Sequence, residues 1–279
     1  MALWDSKILY VFLEVTSLRQ ARVWWEEILG LEVIENEFHP PHHRHGVIKY
    51  DAGETIVALN IANHDFDRAA SEGILMVFST APMLEAKVYA ELQIRGYPTP
   101  RQPGGIIVDR DNHQYALRQT ASMSMWADDE SPPSLQELHI GVTDMAESLL
   151  FYGETLGLVL LHQDKKSATF ATGNIKLVLQ DWQTLTGQPL NRPDGSLIVF
   201  NTERIQQTYE ELSKNGLRFK SEVVYSDIGG SARFTDPTGH VFCLYERSEE
   251  SLSWGSGWKV REIISRESSL SLGQVIIDT

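Results

Sequence analysis

A strand-and-helix pattern that occurs twice along the chain constrains its fold more than any other feature. Residues 8–16 are predicted as a β-strand, followed by a helix that ends at Gly30 and leads into another strand. The pattern returns in LQELHIGVT at 135–143 and DMAESLLFYGETLGLVLL at 144–161, and the LGL of 29–31 recurs at 156–158. The second half of the chain therefore repeats the first.

A second type of unit follows each of these and is also duplicated. Its helix ends in YAELQIRG at 89–96 and YEELSKNG at 209–216, and IIVDRDNHQYALRQ at 106–119 matches RFTDPTGHVFCLYE at 233–246. Asp109 and His113 thus align with Asp236 and His240 across a tight turn between two strands. The chain reads as four modules of about 60 residues, each too small to bury its own apolar face, so modules must pair.

The segment between the halves divides the chain. TASMSMWADDESPPS at 120–134 is polar, acidic and broken by two prolines, as linkers are. We therefore predict an N-terminal domain of two modules at 1–120, a linker at 121–134, a C-terminal domain of two modules at 135–248 and a tail at 249–279. The tail carries Trp254 and Trp258 and has no repeat partner, so we expect it to fold over the second domain or to meet a second chain in a homodimer.

Charge and cysteine content exclude several classes of function. With 24 Lys and Arg against 38 Asp and Glu, the net charge is -14, which disfavours nucleic acid as a partner and would favour a cationic ligand by steering. The first fifteen residues contain two acids and only a short apolar run, so neither a signal peptide nor a membrane span is predicted. Cys243 is the single cysteine, which suits a reducing compartment, and we expect a cytoplasmic protein.

The segments HIGVTDMAESLLFYGETLGL at 139–158 and FTDPTGHVFCLYE at 234–246 resemble a module start and a module end of the vicinal oxygen chelate superfamily. This superfamily includes glyoxalases, bleomycin-resistance proteins and extradiol dioxygenases. The resemblance implies an α+β fold of tandem βαβββ modules, with two domains that each form a curved mixed-sheet cup with helices outside. The cup would hold the ligand.

The same resemblance indicates where a catalytic metal would be bound. Each module would offer one position in its first strand and one in its last strand, four residues beyond the turn glycine. The first-strand positions are Phe12, Met76, His139 and Ile198, and the last-strand positions are Val57, Ala116, Leu177 and Cys243. Only His139 and Cys243 carry side chains with plausible ligand chemistry, whereas a divalent ion needs about three protein ligands. We therefore expect no metal cofactor, with His139 as the one weak candidate ligand.

Several single residues allow more than one interpretation. His139 could bind a metal, contact a small molecule or be a buried histidine satisfied by backbone. Cys243 is interpreted as a small buried side chain rather than a nucleophile, since no base is evident beside it. Glu246 is interpreted as structural, and Trp182 is a candidate for the rim of a cup.

Two further clusters are interpreted as structural or incidental. Four histidines crowd FHPPHHRHG at 38–46, which fits an exposed hairpin better than a zinc or nickel site. Bulky rings in the first helix of each half should pack on the sheets. These rings are Trp24, Trp25, Phe151 and Tyr152.

Three hypotheses for the function follow, and no catalytic residue is predicted under any of them. The first is a metal-independent protein that binds a small apolar or aromatic molecule in a cup lined by residues such as Phe12, Val57, Met76, Leu177 and Ile198. The second is a metal-dependent enzyme, either a ring-cleaving dioxygenase or a glyoxalase-type lyase. The two-domain layout favours the dioxygenase, and the missing ligands oppose it. The third is a degenerate scaffold that binds another protein, for which the tail would matter.

Overall fold

The computed structural model describes residues 2–36, 46–61, 72–119, 132–187, 189–191, 193, 195–253 and 255–267. Within these ranges, no helix is long and apolar enough to cross a membrane.

The elements follow the four predicted modules. Module 1 contains β1 (Ile8–Val15), α1 (Leu18–Arg22, continued by a π-helical turn at Val23–Ile28), β2 (Glu32–Asn36), β3 (Val47–Asp51) and β4 (Ile56–Ile61). Module 2 contains β5 (Ile74–Thr80), α2 (Pro82–Ile94), β6 (Ile107–Val108) and β7 (Gln114–Gln119). Module 3 contains β8 (Ser134–Val142), α3 (Met145–Leu150, continued by a π-helical turn at Phe151–Thr155), β9 (Val159–Gln163), β10 (Ser167–Ala171) and β11 (Lys176–Asp181), with α4 (Trp182–Thr186) after it. Module 4 contains β12 (Ser196–Asn201), α5 (Ile205–Lys214), β13 (Val224–Ser226), β14 (Gly229–Thr235) and β15 (Val241–Arg247). The tail forms α6 (Glu249–Ser253) and α7 (Gly257–Ser265).

The first helix of each half begins and ends by the same local chemistry. Ser17 caps α1 by accepting a hydrogen bond from the Gln20 backbone, and Asp144 caps α3 in the same way. Both helices end before a glycine with positive φ, Gly30 at +74° and Gly157 at +75°. The repeated sequence therefore produces repeated helix boundaries.

The strands form two mixed sheets with helices packed on one face, which confirms the predicted α+β class. Sheet A has eight strands in the order β13-β14-β15-β12-β1-β4-β3-β2. Sheet B has seven strands in the order β6-β7-β5-β8-β11-β10-β9. In each sheet, two modules meet through antiparallel first strands, β1 with β12 in sheet A and β5 with β8 in sheet B.

The sheets do not follow the predicted division into an N-terminal domain at 1–120 and a C-terminal domain at 135–248. Sheet A joins module 1 to module 4, and sheet B joins module 2 to module 3. The prediction that the two modules of each half share a cup is therefore wrong. All four first strands offer similar edges, so the repeat alone does not specify which modules pair.

Aromatic side chains on the first helices pack the two sheets together. Trp25 stacks on Tyr50 of sheet A at 5.8 Å between ring centroids and meets Tyr115 of sheet B edge-on at 5.3 Å. Tyr152 packs in the same way between Phe170 of sheet B and Phe242 of sheet A. The helix rings are thus core residues, as predicted, and one apolar core runs between the sheets.

The turn before the last strand repeats in modules 2 and 4. Asp109 Oδ1 accepts the backbone N–H of His113 at 2.9 Å, and Asp236 Oδ1 accepts that of His240 at 2.8 Å. The predicted tight turn is confirmed in both places.

Candidate functional site

The face of sheet A opposite the core holds a cavity of about 230 Å³. We call this face the cup face and the opposite one the core face. Alternate side chains of β1, β12 and β15 reach the cavity, as a strand period of two requires. They are Tyr10 and Phe12 of β1, Leu197 and Val199 of β12, and Cys243, Tyr245 and Arg247 of β15.

The other wall of the cavity is the tail. Helices α6 and α7, together called the lid, lie on the cup face, and Ser251, Leu252, Ser256 and Val260 border the cavity. The tail was expected to fold over the second domain or meet another chain. It lies on the sheet shared by modules 1 and 4, so it covers module 4 of the predicted second domain and module 1 as well. The lid is the exception to the prediction that helices lie outside the cups.

The lid is held to module 1 by an apolar contact. Leu252, Val260 and Ile263 are buried against Leu9 and Ile56, which lie on the cup face of β1 and β4. Burying these side chains removes apolar surface from water, at about 25 cal/mol per Å². The lid therefore fills the module 1 side of the cup and leaves the module 4 side open as the cavity.

Two buried lysines connect the lid to module 1. Lys7 Nζ donates to the carbonyl oxygens of Ile263 at 2.7 Å and Ile264 at 3.0 Å, at the C-terminal end of α7, where a helix attracts a cation. Lys259 Nζ lies 2.9 Å from an Asp51 carboxylate oxygen in β3. Both lysines are less than a tenth exposed, so these contacts are shielded from solvent.

The turn between α6 and α7 is positioned by Glu35. The backbone N–H of Ser256 donates to Glu35 Oε2 at 2.5 Å, and Glu35 Oε1 lies 2.9 Å from Lys49 Nζ. Gly255 has φ +58°, and a Cβ there would stand 2.6 Å from Glu35 Oε2, so the close approach requires glycine.

Cys243 lies in the cavity wall as a neutral thiol. Burial raises the pKa of Cys243 to about 11, with Arg233 acting in the opposite direction. Its Sγ donates to the Leu244 carbonyl at 3.0 Å. A thiol in this state is a poor nucleophile at neutral pH, in line with its interpretation as a small buried side chain.

His139 lies on sheet B, whereas Cys243 lies on sheet A. Its Nε2 is 2.9 Å from Glu137 Oε2, and Arg118 donates to the same carboxylate oxygen. The His139 hydrogen bond is the main cause that lowers the pKa of Glu137. His139 Nδ1 is buried with no hydrogen-bond partner among the described residues. The only two metal-capable positions of the second half are thus on different sheets and cannot share an ion.

Trp182 covers the cup face of sheet B. Its ring lies against Gly141, where a Cβ would come within 2.4 Å of the indole, and it is buried rather than exposed at a rim. Gly141 is two residues from His139 on β8, so both residues face the same side of the strand.

Four predicted cup residues lie on the core face instead. Ile198 falls between Leu197 and Val199, which line the cavity, and points the other way. The other three, Val57, Met76 and Leu177, are buried in the same core cluster. Their assignment to the cup was wrong by one residue in the register of the strand, which reverses the face.

The turn before the last strand explains two of these errors. In modules 1 and 3 the first paired residue of the last strand is the third after the turn glycine, Ile56 after Gly53 and Lys176 after Gly173. In module 4 it is the second, Val241 after Gly239. The cup-facing residue therefore shifts by one between modules.

With the strand register corrected, we can name the side chains that face each cup at the positions where the resemblance places a catalytic metal. They are Phe12, Ala58, Val199 and Cys243 in sheet A, and Val77, Ala116, His139 and Val178 in sheet B. Each set holds a single side chain suited to bind a metal, and in sheet B the described side chain hydrogen-bonded to it is Glu137. Such a set does not fit a divalent ion, which needs about three protein ligands. Among the described residues, no group of three or more His, Cys, Asp or Glu side chains is placed to bind a metal.

Glu246 has the structural role that its position suggested. Its Oε2 accepts the backbone N–H of Ile205 at 2.7 Å, the first residue of α5. An acceptor here satisfies one of the free N–H groups at a helix start. The histidines at 39, 42, 43 and 45 and Trp254 lie outside the described residues.

Sequence reasoning expected the tail to fold back but missed its position on the cup face, and it missed Arg247. Arg247 lines the cavity, donates to Asn201 Oδ1 at 3.0 Å, and keeps a buried Nε with no partner among the described residues. The one signal for the lid was the tail's lack of a repeat partner. No sequence signal pointed to Arg247, because it lies at the end of a strand and arginines are common on exposed surfaces.

Comparison with known proteins agrees with this architecture. The model of the Glyoxalase/Bleomycin resistance protein/Dioxygenase superfamily matches residues 134–244, which are modules 3 and 4. The match shows the likeness to that superfamily over modules 3 and 4, which make up less than half of the chain.

Solved structures extend the likeness to the whole fold. Glyoxalase I from Zea mays superimposes with a TM-score of 0.66 at 16% identity, covering 87% of this chain and 92% of that one. A protein of Bacillus subtilis subsp. subtilis str. 168, provisionally described as a dioxygenase, gives a TM-score of 0.62 at 11% identity, covering 88% and 86%. At these identities the likeness shows the fold alone. No curated protein sequence matches the chain.

Proposed function

We propose that this chain binds a small apolar or aromatic molecule in the cavity between sheet A and the lid, without a metal ion. The observation that carries the proposal is the cavity itself, enclosed by a sheet and a lid and lined by the rings of Tyr10, Phe12 and Tyr245. Ligand sites are usually concave, mostly apolar and provided with a few polar groups, and this cavity has that composition.

The donor sets support binding rather than metal-dependent chemistry. The cup positions of sheet A carry Phe12, Ala58, Val199 and a neutral Cys243 thiol, which offer packing surface and little coordination. A ring-cleaving dioxygenase or a glyoxalase-type lyase needs a bound metal at such positions. Stoichiometric Fe, Mn, Ni or Zn in the purified, untagged protein would overturn the proposal.

A cavity-filling substitution tests the site directly. Ser231 lines the cavity on β14, and Ser231→Phe should fill part of it and abolish the thermal stabilisation given by apolar compounds that bind the wild type. The matched control Ser221→Phe adds the same ring at an exposed position outside the cavity and should leave binding unchanged. Equal binding by both variants would refute the location of the site.

A cytoplasmic location and a homodimer also stay predictions. The location is inferred from the single cysteine, which is buried and free. Fractionation of the source cells tests the location, and light scattering of the purified protein tests the dimer.

A further inference from the structure

The charges around the cavity differ from those of the chain as a whole. The chain carries a net charge of -14, but the charged residues that line the cavity are Lys49, Arg233, Arg247 and one carboxylate, Glu35. Lys49 and Glu35 pair with each other at 2.9 Å. Two arginines are left, and no described carboxylate forms an ion pair with either.

Arg247 has an unsatisfied hydrogen-bonding group. One terminal nitrogen donates to Asn201 Oδ1 at 3.0 Å, which fixes the guanidinium against β12. Its Nε is buried and has no acceptor among the described residues. A guanidinium stays charged at any ordinary pH, so a buried N–H without an acceptor is costly unless a ligand supplies one.

The two arginines are separated along the sheet by aromatic surface. Arg233 pairs in register with Cys243, and Arg247 lies four residues further along β15, about 13 Å away at the usual rise of a strand. Tyr245 lies between them on the same face. Arg233 is exposed, while Arg247 is partly buried beside Ser251 of the lid.

We infer that the ligand of this cavity is an aromatic or apolar carboxylate whose carboxylate group binds the Arg247 guanidinium. The inference rests on the proposed function of the same cavity and adds the chemical class of its ligand. The apolar body lies along Tyr10, Phe12 and Tyr245, and the carboxylate accepts from Arg247 Nε and its free terminal nitrogen. Arg233 attracts the anion at the mouth.

Matched pairs of acids and amides test the inference. Isothermal titration of the full chain with benzoate, phenylacetate, indole-3-acetate and 1-naphthoate, each beside its neutral amide, separates charge from shape. We expect at least one acid to bind about tenfold or more tighter than its amide, as a charge-assisted hydrogen bond predicts. Arg247→Gln should abolish that preference and leave the affinity for the amide nearly unchanged.

The control is Arg218→Gln, which removes an exposed arginine that does not line the cavity and should keep the preference. Arg247→Lys keeps the charge without the planar fork and should lose part of the preference. If amides bind as tightly as acids to the wild type, the carboxylate assignment is overturned and the proposed binding function stands. If no acid and no amide binds, both are overturned. The comparison of acids with amides on the wild type tests the carboxylate assignment even if Arg247→Gln does not fold.

Discussion

Replacing Ile263 with alanine should loosen the lid selectively. Ile263 lies in α7, is 1% exposed and packs against Leu9 and Ile56 on the cup face. The substitution removes three carbon atoms, which at about 0.8 kcal/mol each amounts to about 2.4 kcal/mol. Including the cavity that is left behind, we expect the closed lid to lose about 2–4 kcal/mol.

Native-state hydrogen exchange measures this loss where it occurs. If the lid opens while the sheets stay folded, the amides of α7 exchange through that local opening. A loss of about 2–4 kcal/mol then speeds their exchange roughly 30- to 700-fold, since each 1.4 kcal/mol is a factor of ten. Amides of β8 in sheet B should show a smaller acceleration, because their exchange requires opening of a different part of the fold.

The control is Ile140→Ala, an equal truncation at a fully buried position of β8. It should speed exchange in β8 and leave the local opening of α7 unchanged. If both variants speed amide exchange in α7 and in β8 by the same factor, the lid unfolds only together with the sheets. The reasoning that treats it as a separate unit would then be refuted.

Three further predictions concern the cavity wall and the core. Because burial raises the pKa of Cys243 to about 11, iodoacetamide at pH 8 should alkylate the native protein far more slowly than the unfolded chain. Burial would lower the pKa of His113, but the Asp109 carboxylate 2.9 Å away outweighs burial and raises this pKa above 6.5. The same contact lowers the pKa of Asp109 below 3.8, although burial acts to raise it. The pair should therefore stabilise the fold most between about pH 4 and 6.5 and lose this contribution as the pH rises through the raised pKa of His113. Asp109→Asn should remove this pH dependence from the free energy of unfolding measured in urea. Gly229→Ala should cost at least about 2 kcal/mol in urea unfolding, since φ is +130° and a Cβ would stand 2.0 Å from the Glu246 carbonyl oxygen.

A specific result would contradict each of these three predictions. Rapid alkylation of native Cys243 would mean that the thiol is open to solvent and ionises readily. A free energy of unfolding that rises with pH from 6 to 8 in the wild type would contradict the sign derived for His113. A stable Gly229→Ala variant would show that β14 moves away from β15 at little cost.

Much of the fold could be predicted because repetition is visible in sequence. The glycines that end α1 and α3 and the aspartates that shape the turns before β7 and β15 mark the same boundaries in both halves. Local chemistry at caps and turns acts within a few residues, so the sequence displays it directly. The core role of Trp25 and Tyr152 followed from the same alignment.

The candidate site was predicted only in part. Phe12 and Cys243 line the cavity on sheet A, whereas Val57 and Ile198 lie in the core, and the role of each as a ligand contact stays a prediction. A strand alternates its side chains with a period of two, so one residue of difference in a turn reverses every assignment after it. Such a difference is decided by backbone pairing, which the sequence does not show.

By itself the sequence determined the four modules and the main strands and helices within them. The tertiary structure alone decided which modules share a sheet, where the tail lies and which charges meet in the cavity. Four similar first strands could pair with one another, and only packing of the whole chain, such as Trp25 between two sheets, selects among these pairings. For the same reason Arg247, on module 4, and the lid, from the tail, form one cavity that no single stretch of sequence contains.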